Sequence, residues 1–520
     1  MGATILVHRA GTPRFLRRFF SCATVVLIAA AVCFAGCGKG GGSIVGKKPI
    51  KRVIKVESNV DALRAWAANG AKASVLVHVD PLDDMAAFPV SLMEDMKNAA
   101  GHLKRRNVQP LDNIAAMIEG GGTVSLGFMA GMYERVIWVI PSQRPVGETS
   151  VDDLKKYFLE RRGFPAAALA DFKVDGKHIT GTVTGVPLTV TRLEDLSLAD
   201  AENAIVDIDL YYFMATKIEN PAYQTGTKTL LGFLRELGAK NVRANLVTVN
   251  LSTVNTMVAM DLRYYGDVIR EALTNPGALN GPMPDAWKYM IQAEDSLGAK
   301  RFASASAIYK DIIETTQDNA GIHFFLAIAE GYQDKGPECR AALLDAYRLD
   351  SGYLKGFFQL ARVLAAAGKI AAGLHILDTP DLGKLYSTDD MDYQRGVFFY
   401  TAHKPLDAMT HLLRVAEQRP NDFGLFTILF RACREAGSDE AEISALEKLI
   451  DIDDGRVRRE MPWVYADLGR LYEKIGFPGN ASEAYEKYIE TRPGDSLSTV
   501  FRKRIDAWKA KKILGPRSRP

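Results

Sequence analysis

The residues able to do chemistry in this 520-residue chain are few and scattered. Asp80 and Asp209 each close a short apolar run, Val77-His78-Val79-Asp80 and Val206-Asp207-Ile208-Asp209, and each is followed five residues on by a methionine, Met85 or Met214. Paired acids at strand ends can exchange protons with a substrate or cap the helix that follows, and capping is the preferred reading. Eight histidines are present and none falls in a zinc pattern such as H-E-x-x-H. Thr123-Val124-Ser125-Leu126-Gly127 lacks the first glycine of a nucleophile elbow and lies in an expected strand, so Ser125 reads as an ordinary strand residue. Asp451-Ile452-Asp453-Asp454-Gly455 has acids without the spacing or closing Glu of a calcium loop and reads as a connecting loop. The sequence therefore assigns no catalytic residue, no metal ligand and no cofactor.

The elements around these residues are more legible. From Trp463 to Pro493 the chain places Tyr465, Leu468, Gly469 and Tyr472 before a Gly476-Phe477-Pro478-Gly479 turn, then Ala481, Tyr485 and Pro493. This order, W/Y-x2-L-G-x2-Y…A-x3-F/Y…P, resembles a tetratricopeptide (TPR) repeat. Small residues at 469 and 481 let two antiparallel helices approach, aromatics fill the gaps between them, and Pro493 stops the second helix. One such unit cannot bury its own apolar face, so neighbours are required. They recur about every 34 residues: Gly396, Phe399, Ala408 and Pro420; Ala305 and Tyr309; Cys339, Leu343 and Ala346; Leu360 and Ala361, in a unit broken at Thr379-Pro380; and Leu429, Cys433 and Leu446, followed by an insertion at 451–461. The resemblance covers 286–512 and implies an all-α solenoid whose first helices line a groove for a peptide or protein. Cys339 and Cys433 stand where repeat helices meet and should be buried free thiols.

Specificity is expected in that groove. Aligning the first helices places Arg362, Arg431 and Arg470 at one inward position, Arg434 and Lys474 one turn on, and Phe324, Phe358, Tyr393 and Tyr400 at other inward positions. Arg makes forked bonds to carboxylates, so the set suggests a groove for an acidic or carboxylate-terminated peptide, against the plainer alternative of solvated polar faces. The carboxylate clamp of co-chaperone members of the family is not matched residue by residue.

At the amino terminus Arg9, Arg14, Arg17 and Arg18 precede an apolar run from Phe19 to Gly36 that ends in Phe34-Ala35-Gly36-Cys37. Charged, apolar and small residues in that order make an export signal. The last four residues resemble the lipobox of bacterial lipoproteins, which implies cleavage after 36 and lipidation of Cys37; an uncleaved anchor is the alternative. Gly38 rather than Asp after the cysteine implies, by the same resemblance, the outer membrane. Residues 37–58 read as a flexible basic leader. Four of the 65 basic residues and no acid lie in 1–36, so 61 basic face 62 acidic residues in the remainder, which argues against general nucleic-acid binding.

Residues 59–273 read as α+β with a largely antiparallel sheet. Strands are expected at 73–79, 134–140, 187–192 and 245–252, a hairpin around Asp175-Gly176, and helices at 91–106, 152–162 and 227–237. Thr123–Met129 and Thr256–Arg263 are also read as strands, and the echo between 77–85 and 206–214 suggests an internal duplication. Residues 274–285, rich in Pro and Gly, read as a linker, and 513–520 as a basic tail. Together these features suggest a multidomain envelope scaffold, an α+β domain followed by an all-α TPR solenoid, anchored at the periplasmic face of the outer membrane and recruiting other envelope proteins. An envelope enzyme with a catalytic α+β domain and a periplasmic chaperone are the alternatives.

Overall fold

The computed structural model describes residues 43–88, 90–141, 150–183, 185–197, 203–214, 226–252, 258–315 and 319–511. The export signal, Cys37 and the tail at 513–520 lie outside them. The described residues belong to one compact unit.

Its first part is built on a mixed sheet of nine strands among the described residues: β1 (Ser43–Ile44), β2 (Val53–Val56), β3 (Val75–Val79), β4 (Val136–Ile140), β5 (Lys173–Asp175), β6 (His178–Val183), β7 (Val186–Arg192), β8 (Ala204–Asp209) and β9 (Arg243–Asn250). The order is β1-β9-β8-β3-β4-β7-β6-β5, with β2 also on β9. The five pairings β2/β9, β9/β8, β8/β3, β3/β4 and β4/β7 are parallel, and only β1 and the β5-β6-β7 meander are antiparallel. The antiparallel expectation is thus corrected for the centre of the sheet. The physical signal was burial on both faces: β3 (VLVHV) and β4 (VIWVI) have no exposed residue, as parallel strands covered on two sides require.

One face is covered by α1 (Asn59–Ala68), α2 (Met93–Lys104), α3 (Leu111–Met117), α4 (Thr123–Met129) and α5 (Val151–Arg161), which meet Leu76, Trp138, Ile205 and Leu246 of the strands. The other faces α6 (Thr227–Ala239) and α7 (Arg263–Thr274), against Val77, Val79, Val206, Ile208, Val247 and Val249. Thr123–Met129 is α4 rather than a strand, entered after Gly121 at φ 107°, a backbone turn that suits glycine. The described part of Thr256–Arg263 is likewise a 3-10 turn at Met260–Leu262 leading into α7, and no strand. In the expected leader, residues 43–56 carry β1 and β2, with Val45 and Ile50 buried, because apolar residues alternate there with the basic pairs Lys47-Lys48 and Lys51-Arg52.

The stretch 274–285 holds α8 (Pro276–Asn280), with Ala278 and Leu279 buried in the same core as the sheet. Helices then run in pairs: α9 (Asp285–Gly298) with α10 (Phe302–Thr315), α11 (Ala320–Tyr332) with α12 (Gly336–Leu349), α13 (Gly356–Ala366) with α14 (Ile370–Leu377). After the short α15 (Pro380–Leu385) come α16 (Thr388–Thr401) with α17 (Pro405–Gln418), α18 (Phe423–Ala436) with α19 (Asp439–Glu460), α20 (Trp463–Lys474) with α21 (Pro478–Thr491), and the closing α22 (Ser496–Ala510). This is the all-α repeat half. A Cβ on Gly469 would stand 2.4 Å from the Tyr485 ring, and one on Gly396 2.6 Å from Leu412, so glycine sets the helix spacing in both pairs. Phe501 of α22 stacks on Tyr485 at 4.0 Å and covers the last apolar layer. The loop expected at Asp451–Gly455, within the insertion at 451–461, is instead part of α19, which continues to Glu460 past a kink at Asp453. Cys339 and Cys433 are buried free thiols, their pKa pushed up to about 12 by burial. Among the described residues no helix is long and apolar enough to cross a membrane.

Candidate functional site

The repeated run noticed in sequence comes together in space. β3 and β8 lie side by side in parallel, with His78 opposite Asp207 and Val79 opposite Ile208, so Asp80 and Asp209 follow at neighbouring strand ends. β9 continues the rows: Thr248 stands opposite Asp207, and Asn250 opposite Asp209. From β3 the chain proceeds to β4 on one side, and from β8 to β9 on the other. The carboxyl ends of β3 and β8 therefore flank a switch point of the sheet, the place where open sheets with parallel strands take ligands.

Each polar side chain in it is held by a specific partner. His78 Nδ1 is 3.1 Å from Asp207 Oδ2, Thr248 Oγ1 donates to Asp207 Oδ1, and Trp66 Nε1 of α1 donates to Thr248 Oγ1 at 3.1 Å. Asp80 Oδ1 accepts from the Leu82 amide at 2.7 Å and Asp209 Oδ1 from the Tyr211 amide at 2.7 Å, so one oxygen of each does cap the turn after its strand. Ser252 Oγ donates to Asp209 Oδ2 at 2.8 Å, and Asn59 Nδ2 to Asp84 Oδ2 at 2.9 Å. Asp83 is neutralised separately by Arg162 Nε at 2.8 Å and takes the Tyr157 hydroxyl as well.

The remaining charge is not balanced. Asp80, Asp83, Asp84, Asp207 and Asp209 are each at most 4% exposed. Burial, with the neighbouring charge of Asp209, holds Asp80 well above the usual carboxylate range. Burial pushes Asp84 up to about 6 and Asp209 up to about 7. For His78 burial acts downward, and the hydrogen bond to Asp207 with the charges of Asp84, Asp207 and Asp209 outweighs it. His78 Nε2 has no hydrogen-bond partner among the described residues; it points between Asp80 Oδ2 at 3.8 Å and Asp84 Oδ2 at 3.9 Å. Ligand atoms of these three residues all lie within 4.8 Å of one another.

The nine groove residues fare differently. Phe324 and Phe358 belong to the core, 3% and 6% exposed, and pack on Tyr353 and Tyr386 at 5.2 and 4.9 Å. The reason for the first is that α11 is buried along nearly its whole length, pressed against α7 where Gly321 meets Tyr264. Arg434 is bound by Glu442 and Asp467 at 2.7 Å each, Lys474 by Asp439 at 2.6 Å, and Arg470 by Asp467 at 3.2 Å. Those three charges are satisfied within the chain. Arg431 lies beside Tyr400, with which it shares a hydrogen bond.

Arg362 on α13 is the exception. It is part-buried, and no carboxylate lies within ion-pair distance among the described residues. Burial lowers its pKa, with Tyr393 of α16 as its electrostatic neighbour. Tyr393 carries Arg419 over its ring at 6.0 Å, and Arg419 is paired with Asp390. A cleft between α19, α20 and α21 is lined by Glu447, Asp451, Tyr465, Tyr472, Asn480 and Lys487.

No family model matches the chain, and no curated protein matches it. Among solved structures it is similar to YrrB, described as a TPR protein with an unusual peptide-binding site, at 17% identity and TM-score 0.21, covering 44% of this chain and 96% of that one. The C-terminal part of a TPR repeat-containing protein from Cytophaga hutchinsonii is 16% identical with TM-score 0.28, covering 43% and 93%. Pseudomonas aeruginosa pilF is 12% identical with TM-score 0.24, covering 42% and 97%. The paired-helix architecture rests on the chain's own helices and the residues that space them.

Proposed function

We propose that the chain is a lipid-anchored scaffold of a bacterial cell envelope, held by Cys37 at the periplasmic face of the outer membrane, whose helical repeats recruit other envelope proteins or peptides. The observation that carries the recruitment is Arg362. A part-buried guanidinium has lost much of its hydration, and with no carboxylate at ion-pair distance among the described residues it is a standing receptor for one from outside. Tyr393 beside it, and the Arg431–Tyr400 pair on the following first helices, extend the same aromatic and basic chemistry along the row. The anchor is supported by the arginine-rich, apolar, Ala35-Gly36-Cys37 order of the amino terminus. More than one acyl chain on a cysteine gives stable membrane attachment.

The test is capture from cross-linked cells that carry the wild type, Arg362→Glu or Cys37→Ser. The proposal expects Arg362→Glu to lose a small defined set of partners while staying at the membrane, and Cys37→Ser to lose membrane attachment and acyl labelling. Unchanged partners in the first or unchanged attachment in the second contradict the corresponding half. Point variants are preferable to a chain ending at Pro284, because the core under the sheet runs on through Trp287, Met290 and Ala305.

A second reading, an envelope enzyme, is favoured by the polar row of His78, Asp80, Asp84 and Asp209 at the switch point of the sheet. In that case the repeats would select the substrate.

A further inference from the structure

We propose that His78 Nε2, Asp80 Oδ2 and Asp84 Oδ2 bind a divalent first-row transition-metal ion of the Mn2+ to Zn2+ class, with Asp209 as the adjoining carboxylate. Two independent observations meet here. The first is charge. Among the described residues five carboxylates, at most 4% exposed, face two groups able to carry positive charge: Arg162, committed to Asp83, and His78. Isolated buried charges are costly and are ordinarily paired or coordinated to a metal.

The second is the orphaned nitrogen. His78 is 1% exposed, and its Nε2 has no hydrogen-bond partner among the described residues although two carboxylate oxygens face it. At 3.8 and 3.9 Å those oxygens are too far for a hydrogen bond and close to what a shared ion requires. An ion about 2.1 Å from each donor sets neighbouring donors about 3.0–3.4 Å apart, so the triangle closes on it with shifts of less than about 1 Å.

The surroundings fit the same assignment. An ionised Asp207 can only accept, so the proton of a neutral His78 ring sits on Nδ1 and the lone pair of Nε2 is left for the ion. Asp207 is fixed in turn by Thr248, and Thr248 by Trp66. Carboxylate support of the far nitrogen is how metal-bound imidazoles are oriented. Asn59 on Asp84 Oδ2 and Ser252 on Asp209 Oδ2 each use one lone pair, and each of these oxygens has a second. One imidazole among carboxylates selects the transition-metal class over Ca2+, which takes oxygen alone.

The test uses the full purified chain, stripped with a chelator and titrated calorimetrically with Zn2+, Mn2+ and Ca2+. The proposal expects one ion per chain, Zn2+ or Mn2+ bound at least tenfold tighter than Ca2+, with a rise in Tm on binding. His78→Gln and Asp84→Asn should weaken binding at least tenfold. Asp80→Asn keeps an oxygen to accept from the Leu82 amide, so it should fold like the wild type without metal while its Tm no longer responds to the ion. If the ligand variants fail to fold, X-ray absorption on the loaded wild type decides: a nitrogen and oxygen shell with imidazole scattering supports the site. No stoichiometric binding, a preference for Ca2+, an all-oxygen shell, or folded ligand variants that bind like the wild type would each overturn it.

Discussion

His78 and Asp207 face each other across the pairing of β3 and β8, Nδ1 to Oδ2 at 3.1 Å, on strands whose every residue is buried. A histidine and an aspartate in that setting need hydrogen-bond partners, and Asp207 has a second one in Thr248. The chain of donors Trp66 to Thr248 to Asp207 fixes the carboxylate that meets His78 Nδ1. Thr248→Val keeps the shape of the side chain and removes the middle donor. It should weaken Zn2+ or Mn2+ binding by about 10- to 100-fold, as loss of supporting hydrogen bonds does at metal sites. Calorimetric titration of the folded variant reads this directly.

Arg263 joins the two halves of the molecule. Its guanidinium is bidentate to Glu57, after β2, at 2.6 and 2.8 Å, and to Asp350, at the end of α12, at 2.8 and 2.9 Å. Arg263→Ala removes the bidentate partner of both acids. Because Asp350 and Glu57 keep 25% and 38% of their surface, the cost belongs at the low end of the about 3–5 kcal/mol for breaking a buried pair. Urea unfolding of wild type and variant measures it, and a difference within about 0.5 kcal/mol contradicts the account.

Glu294 of α9 accepts the Thr227 amide and hydroxyl at 2.8 and 2.9 Å, and burial pushes its carboxyl up from 4.5 to about 7. The native state therefore binds the proton more tightly than the unfolded chain. This contribution to stability is complete below pH 4.5 and falls as pH rises to about 7. Glu294→Gln should gain on the wild type across that window and hold a constant difference above it. A difference independent of pH would contradict the assignment.

Gly469→Ala should destabilise by about 1–3 kcal/mol, because the added methyl meets the Tyr485 ring at 2.4 Å inside a packed helix pair. Gly476→Ala, in the turn at φ 87° with open space around it, acts instead through backbone strain. Thermal unfolding of the two variants separates packing from backbone.

The helical half was legible because its spacing has a local cause: Gly469, Ala481, Gly396 and Ala408 are small where two adjacent helices touch. The sheet was legible as strands but not as pairings. Val77–Asp80 and Val206–Asp209 were recognisable as an echo, yet only the parallel register puts Asp80 beside Asp209 and His78 opposite Asp207. A histidine and aspartates inside runs otherwise built for complete burial were the signal available, since such strands carry polar groups only where partners await them. Asp84 lies after β3 in no pattern, and its place beside His78 follows from the turn fixed by Asp80 and Asp83 on the amides of Leu82 and Met85. Phe324 and Phe358 were misplaced because aligning degenerate repeats tells which residues share a position, whereas burial depends on what packs against each helix.

The claim that the repeats receive an anionic partner at Arg362 is tested most directly by a photo-crosslinking residue placed at Tyr393 in cells. The account predicts adducts with a small set of envelope proteins that disappear when Arg362→Glu is added. Adducts that persist unchanged in the double variant, or none at all from a folded, membrane-attached chain, would contradict it.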